Sequence, residues 1–306
     1  MLHTHLINSS TLRELSTYNL KELVMPDVTV NSRLLGLKDL NVHVEDTGGE
    51  GRPVVLVHGW PLSGASWKEQ VPALRDAGYR VVTYDRRGFG QSDKPLGGYD
   101  YDTLTDDLFG LLEELDLQDV TLVGFSMGGG EVARYVSKYG EDRLRSVVFA
   151  SAIPPKLMKM PDNPDGPLTA AQAAKMTADL TKDADAFYDQ FTKQFFSPNG
   201  DGNIVVSEEV RQEALTQAKQ ASKSAALQAM QAFGTTDFRE DLPYVTIPTL
   251  IIHGDSDGIV PFEGSGKRIH EAIVQSHLHV IAGGPHGVNV SHADEFNAEL
   301  LKFLDV

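Results

Sequence analysis

The sequence predicts an α/β protein: a mostly parallel central sheet flanked by helices and interrupted by a helical insertion. Three observations predict it. From about residue 40 onward, short β-rich runs alternate with longer helical stretches, a rhythm that implies parallel strands joined by right-handed crossovers. Between residues 154 and 235 the rhythm stops, and a proline-rich opening gives way to stretches rich in Ala, Lys and Gln, which favour helices. After Pro248 the alternation returns. The expected division is a leading extension at 1–39, a sheet core at 40–153 and 236–306, and an inserted helical cap at 154–235.

In chain order, the leading segment offers Ser10 or Thr11 as the cap of a short amphipathic helix through Val24, with Leu12, Leu15, Leu20 and Leu23 in partly helical spacing. Such a helix could pack on the core or reach a neighbouring subunit, which leaves a homo-oligomer open. Residues 40–45 read as a strand, 54–57 as a buried apolar strand ending in His58-Gly59, and 69–77 as a helix. Arg80–Tyr84 is a strand, 104–115 an amphipathic helix, 120–124 a short apolar strand and Met127–Tyr139 a helix. A strand at 146–150 precedes the insertion. Beyond it come a strand at 249–253, a helix at 262–274, the last strand His277–Ile281 and the last helix at 292–304.

Composition narrows the function. Of 306 residues, 41% are hydrophobic and 23% charged, as in chains that bury a core, and the net charge of −16 argues against a non-specific grip on nucleic acid or anionic lipid. No apolar stretch approaches the roughly 20 residues that span a bilayer. With no cysteine there is no disulfide, thiol nucleophile or cysteine metal cage, which fits a cytoplasmic protein.

The sharpest signal is Gly124-Phe125-Ser126-Met127-Gly128, between the apolar run VTLVG and the helical GGEVARYVSKYG. A serine in a strained strand-to-helix turn needs small neighbours, and the turn exposes its hydroxyl near a helix N-terminus that favours negative charge. A neutral serine also needs a base. His286, in Gly283-Gly284-Pro285-His286-Gly287 after the final strand, sits where open α/β sheets keep their sites. His292 instead reads as the start of the last helix. His277 and His279 share a strand face and suit sheet packing better than a metal. The orienting carboxylate comes from His253-Gly254-Asp255-Ser256-Asp257-Gly258, where spacing alone leaves Asp255 and Asp257 both open. An oxyanion needs two donors: the Met127 amide is one, and the second comes from His58-Gly59-Trp60-Pro61, where Pro61 has no N–H and Trp60 is the better candidate. The Trp60 indole would also wall the pocket. Asn199-Gly200-Asp201-Gly202-Asn203 lacks the glycine and carboxylate positions of a calcium loop and reads as a turn. Asp100, Asp102, Asp106 and Asp107 read as a solvated helix start.

With these residues in place, the sequence resembles the α/β-hydrolase superfamily across 40–306, and more narrowly its branch of cofactor-free (non-haem) chloroperoxidases, perhydrolases and aryl esterases. The matching text is VLVHGWP, YDRRGFGQSDKP, LVGFSMGGGEVARY, IIHGDSDGIVPFE and GGPHG, in that order. The resemblance implies the α/β-hydrolase fold, with Ser126 as nucleophile, Asp257 rather than Asp255 as acid, His286 as base, and Trp60 and Met127 as oxyanion donors. It implies no cofactor and no metal, and a small-molecule ester as substrate. Pro61 after the oxyanion tryptophan fits the pattern that accompanies perhydrolase and haloperoxidase side activity, in which peroxide captures the acyl-enzyme and the released peracid oxidises halide. The insertion would cover the site, with Met158, Met160, Met176, Phe187, Phe191, Phe195, Phe196, Met230 and Phe233 as candidates for lining a pocket, though helical apolar spacing more often marks a core. A lactonase or C–C bond hydrolase on the same three residues, or a non-catalytic receptor on this fold, are the competing readings.

Overall fold

The structure, a computed structural model, describes residues 40–305. The leading helix expected at 10–24 lies outside them. The strands form where β-branched and apolar residues cluster: β1 (Val44–Asp46), β2 (Pro53–Val57), β3 (Arg80–Tyr84), β4 (Val120–Phe125), β5 (Leu144–Ala150), β6 (Thr249–Gly254) and β7 (His277–Ile281). β4 and β6 are buried along their whole length, as continuous apolar strands covered on both faces should be. The helices are α1 (Gln70–Asp76), α2 (Tyr101–Glu114), α3 (Met127–Tyr139), α4 (Ala170–Lys182), α5 (Ala184–Phe195), α6 (Glu208–Gln220), α7 (Lys223–Thr235), α8 (Gly266–Ala272), α9 (Val288–Ser291) and α10 (Ala293–Leu304). α4 to α7 all lie between β5 and β6. Their starts are written in the sequence: Asp183, Ser207 and Ser222 accept N-terminal amides, and Thr169 and Gln172 close a reciprocal capping box. None of the helices in the described residues is long and apolar enough to cross a membrane.

The sheet runs in the order β1-β3-β2-β4-β5-β6-β7. β2 has β3 on one side and β4 on the other, so the winding direction reverses between β2 and β4. At such a reversal the loops leaving the strand C-termini part and open a crevice. Register does the positioning: Val57 pairs with Gly124, which sets the loop after β2 beside the turn after β4, and Gly254 pairs with Ile281, which sets the loop after β6 beside the one after β7.

β1 runs antiparallel to β3 and every other neighbouring pair is parallel, so the sheet is mostly parallel as expected. Three expectations need correction. β1 is shorter than the strand expected at 40–45: the Asn41 and His43 amides donate to the side chains of Asp93 and Ser92 instead of to a ladder. The helix expected at 262–274 is broken at Ser265, whose hydroxyl donates to the Ala152 and Pro154 carbonyls at 2.6 and 3.1 Å. Asp107 is not solvated: it is buried and gripped by Arg87 through two bonds of 2.5 and 2.6 Å, whereas Asp100 does cap α2.

Candidate active site

The turn between β4 and α3 places Ser126 at φ 54° and ψ −117°, a left-handed conformation that an L-residue enters only under constraint. Three backbone bonds hold it there. The Ser126 amide donates to Ala150 O at 2.8 Å, and Ser126 O accepts from the Gly129 and Ile153 amides. The flanking glycines are required by space: a Cβ on Gly124 would lie 2.5 Å from Gly128 O, and one on Gly128 would lie 2.5 Å from Val57 O. Nothing larger than hydrogen fits at either place.

His286, in the loop after β7, brings its Nε2 to 2.9 Å from Ser126 Oγ and its Nδ1 to 2.6 Å from Asp257 Oδ2. A carboxylate only accepts, so Nδ1 carries the proton and Nε2 offers a lone pair to the serine hydroxyl. That tautomer is the one a general base needs. Asp257 Oδ1 accepts from the Ile259 and Val260 amides at 2.9 and 2.8 Å, which fixes the carboxylate by its own loop. Burial alone would push the Asp257 carboxyl up; the charge of His286, the nearby His253 imidazole and the hydrogen bond from His286 outweigh it and hold the group well below the usual carboxylate range. Asp255, the other aspartate of this loop, does not face the imidazole. It accepts from the Gly283 amide at 2.7 Å and so ties the loop after β6 to the loop that carries His286.

The base is enclosed from the insertion side. Phe125 and Phe195 pack on the imidazole with ring centroids 5.2 and 5.3 Å away, and the Gly287 amide donates to Phe195 O at the end of α5. Such walls exclude water and strengthen the charges inside.

Trp60 and Met127 flank the serine. Met127 opens α3, so its amide is among those with no partner inside the helix. The loop carrying Trp60 abuts the nucleophile turn: a Cβ on Gly59 would stand 3.1 Å from Ser126 Cβ. The Trp60 indole donates to Ala226 O on α7 at 3.0 Å, and Phe187, Phe191 and Phe233 meet its ring at centroid distances of 5.3–6.0 Å. A buried network fastens this loop from behind. Arg86 donates its amide to His58 Nε2 at 2.9 Å and Nη2 to His58 O at 2.7 Å, while Nε reaches Glu131 Oε1 on α3 at 2.7 Å. Burial, then the charge of Arg86, holds His58 well below the usual imidazole range, so it stays neutral and accepts.

Trp60, Ser126 and His286 open into one cavity of about 730 Å³. Its inner walls are Ile153, Leu157, Phe187, Phe191, Phe233 and Val260, and polar side chains of α4 and α5, among them Gln172, Asp179 and Gln190, stand along other parts of it. Of the insertion residues nominated from sequence, Met176, Phe187, Phe191 and Phe233 line the cavity, whereas Phe195, Phe196 and Met230 lie in the core. His279 bonds Glu295 of α10 rather than packing only within the sheet, whereas Asn199-Gly200 forms part of a tight turn, as expected. Among the described residues no cluster of three or more His, Asp or Glu has a metal-binding arrangement. Sequence reasoning passed over His253 and the Arg86–Glu131 pair. Neither carries a local signal, since each is defined by partners distant in the chain or by the turn it packs on.

A family model described as the alpha/beta hydrolase fold matches residues 52–293. A putative non-heme chloroperoxidase of Synechocystis is 45% identical over 280 residues, covering 92% of this chain and all of the relative. A bifunctional esterase/perhydrolase of Acinetobacter calcoaceticus is 37% identical, covering 87% of this chain and 96% of the relative. The crystal structure of a bromoperoxidase from Bacillus anthracis superposes with a TM-score of 0.88 at 54% identity, covering 92% of this chain and all of that one.

Proposed function

The chain belongs to the α/β hydrolase family, in the branch of the non-heme chloroperoxidases, and on that premise we propose that it hydrolyses small carboxylic esters through an acyl-enzyme on Ser126, with perhydrolysis as a side reaction. The observation that supports this reading is the unbroken relay from Asp257 through His286 to Ser126, buried beside a cavity large enough for a small ester. In this reading the 154–235 helices act as a cap that shapes the acyl and alcohol pockets.

Ser126 Oγ attacks the ester carbonyl as His286 Nε2 takes its proton, and Asp257 stabilises the imidazolium that forms. The oxygen that gains charge is received by the Trp60 and Met127 amides, assisted by the N-terminus of α3. The tetrahedral intermediate collapses, and the alcohol leaves with the proton held by His286. Water, deprotonated by the same nitrogen, then frees the acid. Where hydrogen peroxide replaces water, the product is a peracid. The peracid oxidises halide in solution to hypohalous acid and returns the carboxylic acid, so the halide needs no site on the protein. Pro61 after Trp60 and the esterase/perhydrolase relative both support this branch of the reading.

The test is turnover of p-nitrophenyl acetate by the wild type and by Ser126→Ala, with and without peroxide. Turnover is expected in the first, loss of at least about 10³-fold in the second with folding preserved, and peracetic acid where peroxide and acetate are supplied. Stoichiometric ligand binding with no turnover of any ester would favour a receptor, and a dominant preference for a lactone or diketone would displace the ester.

A further inference from the structure

The Asp257 carboxylate meets two imidazoles, and the mechanism uses only one. His253 lies on β6 and is fully buried. Its Nε2 is 2.8 Å from the Val260 carbonyl oxygen and 3.4 Å from Asp257 Oδ2, the same oxygen that bonds His286. A carbonyl only accepts, so Nε2 carries a proton; at 3.4 Å its second contact is electrostatic more than a hydrogen bond. Its Nδ1 is buried with no hydrogen-bond partner among the described residues, walled off by Gly266, where a Cβ would come within 2.5 Å of it. Leaving a buried polar atom unpaired is unfavourable, and an apolar side chain here would avoid that cost. A histidine in this place therefore calls for a compensating role.

Its surroundings supply one. The turn that presents Asp257 is tied at Oδ1 by the Ile259 and Val260 amides, and the Val260 carbonyl is tied in turn by His253. Among the described residues, the charged or titratable side chains in contact with the Asp257–His286 pair are His253 and Ser126; Asp255 on the same loop is turned to Gly283 and Ser256, and Phe125, Phe195 and Phe262 contribute only uncharged rings.

We propose that His253 is a positioning residue for the hydrolysis: its Nε2–H anchors the 257–260 turn and shares the charge of Asp257 Oδ2 with His286. The inference rests on the esterase reading above. Two effects should follow when that N–H is removed. The carboxylate gains freedom to leave the imidazole, which lowers kcat without weakening substrate binding. The undivided charge on Oδ2 also favours the protonated base, so the acid limb of the kcat/KM profile moves to higher pH.

The experiment compares the full chain with His253→Leu, which removes the N–H, and His253→Gln, whose amide nitrogen can reach the place of Nε2. Both kcat and KM for p-nitrophenyl acetate are measured from pH 5 to 9, with thermal unfolding alongside. His253→Leu should lose about tenfold in kcat with KM within about twofold, and its acid limb should rise by about half a pH unit. His253→Gln should recover kcat to within about threefold and return the limb to the wild-type position. A folded leucine variant with unchanged kcat and limb overturns the proposal, as does a folded glutamine variant as impaired as leucine. If leucine does not fold, His253→Met takes its place under the same criteria. Full turnover by Ser126→Ala would remove the esterase reading itself, and this inference with it, whatever the 253 variants do.

Discussion

Asp257 is buried deeply enough that its neutral form would prevail without its neighbours, yet the charge of His286 and the imidazoles of His253 and His286 hold it ionised, while the Ile259 and Val260 amides fix its orientation. Replacing it by asparagine separates its two duties. The amide oxygen of the new side chain, in the place of Oδ1, would still accept from Ile259 and Val260, so the loop should keep its shape. The amide NH2 in place of Oδ2 cannot accept from Nδ1–H, and the imidazole would change tautomer and turn an N–H toward Ser126. The expected result for Asp257→Asn is a fall in kcat of about 10⁴-fold, the size seen when this tautomer is lost in serine hydrolases, with an unfolding temperature within a few degrees of wild type. A loss below tenfold would mean that the carboxylate does not set the tautomer. Ser126 and His286 could be nominated from the residues because a serine between Gly124 and Gly128 needs a particular backbone, and the loops at strand ends hold few alternatives; Asp257 comes only with the family resemblance. Spacing could not choose between Asp255 and Asp257. That choice is made by the turn, in which Asp257 folds back on its own amides while Asp255 reaches across to Gly283.

At the scale of elements, the loop after β2 and helix α3 are joined by Arg86 and Glu131, an ion pair with almost no solvent exposure. Tyr84 adds a hydrogen bond to Glu131 Oε2 at 3.1 Å, and Arg86 spends its remaining donors on His58. Pairs of this kind add little net stability over an apolar replacement, but removing one partner strands the other charge. Glu131→Ala should therefore destabilise the fold by about 3–5 kcal/mol, read by urea unfolding, while Arg86→Met combined with Glu131→Leu should recover most of that loss. A single substitution costing under about 1 kcal/mol would show that water already reaches the pair. This pairing also explains which elements were legible. β3, α3 and β7 have the bounds expected of them because apolar runs and end signals within the segment decide them. The failures share a different cause. Ser265 breaks a helix by bonding carbonyls more than a hundred residues earlier, Asp107 leaves the solvent for Arg87, and residues 40–43 are held by the loop at Ser92 and Asp93. Each is settled by a distant partner that no local pattern contains.

For the molecule as a whole, the buried phenols set the alkaline limit of stability. Tyr84 and Tyr101 are pushed well above the usual tyrosine range, by burial first and by the charge of Glu131 second. Burial raises Tyr135 and Tyr188 to about 12 each. In the unfolded chain these groups lose their protons near pH 10. Groups whose folded values are raised contribute stability that is complete below the unfolded value and is lost as pH climbs toward the folded one. The window is therefore about pH 10 to 12, where these four phenols hold up to four more protons in the folded state than in the unfolded one, with Tyr99 and Tyr139 shifted in the same direction. At about 1.4 kcal/mol per proton and pH unit, stability should fall by roughly 5 kcal/mol per unit, against a total of about 5–15 kcal/mol for a typical domain. With no cysteine in the chain, no thiol titrates in this range to blur the effect, and a net charge already at −16 adds repulsion in the same direction. Urea unfolding from pH 8 to 11.5 should show a flat plateau and then a steep decline beginning near 10, with tyrosinate absorbance rising in step with the loss of far-ultraviolet dichroism. Tyr135→Phe should reduce the slope by about one proton. Tyrosinate appearing gradually from pH 9.5 while dichroism is unchanged would mean that solvent reaches these rings in the native state, and the argument from burial would fail.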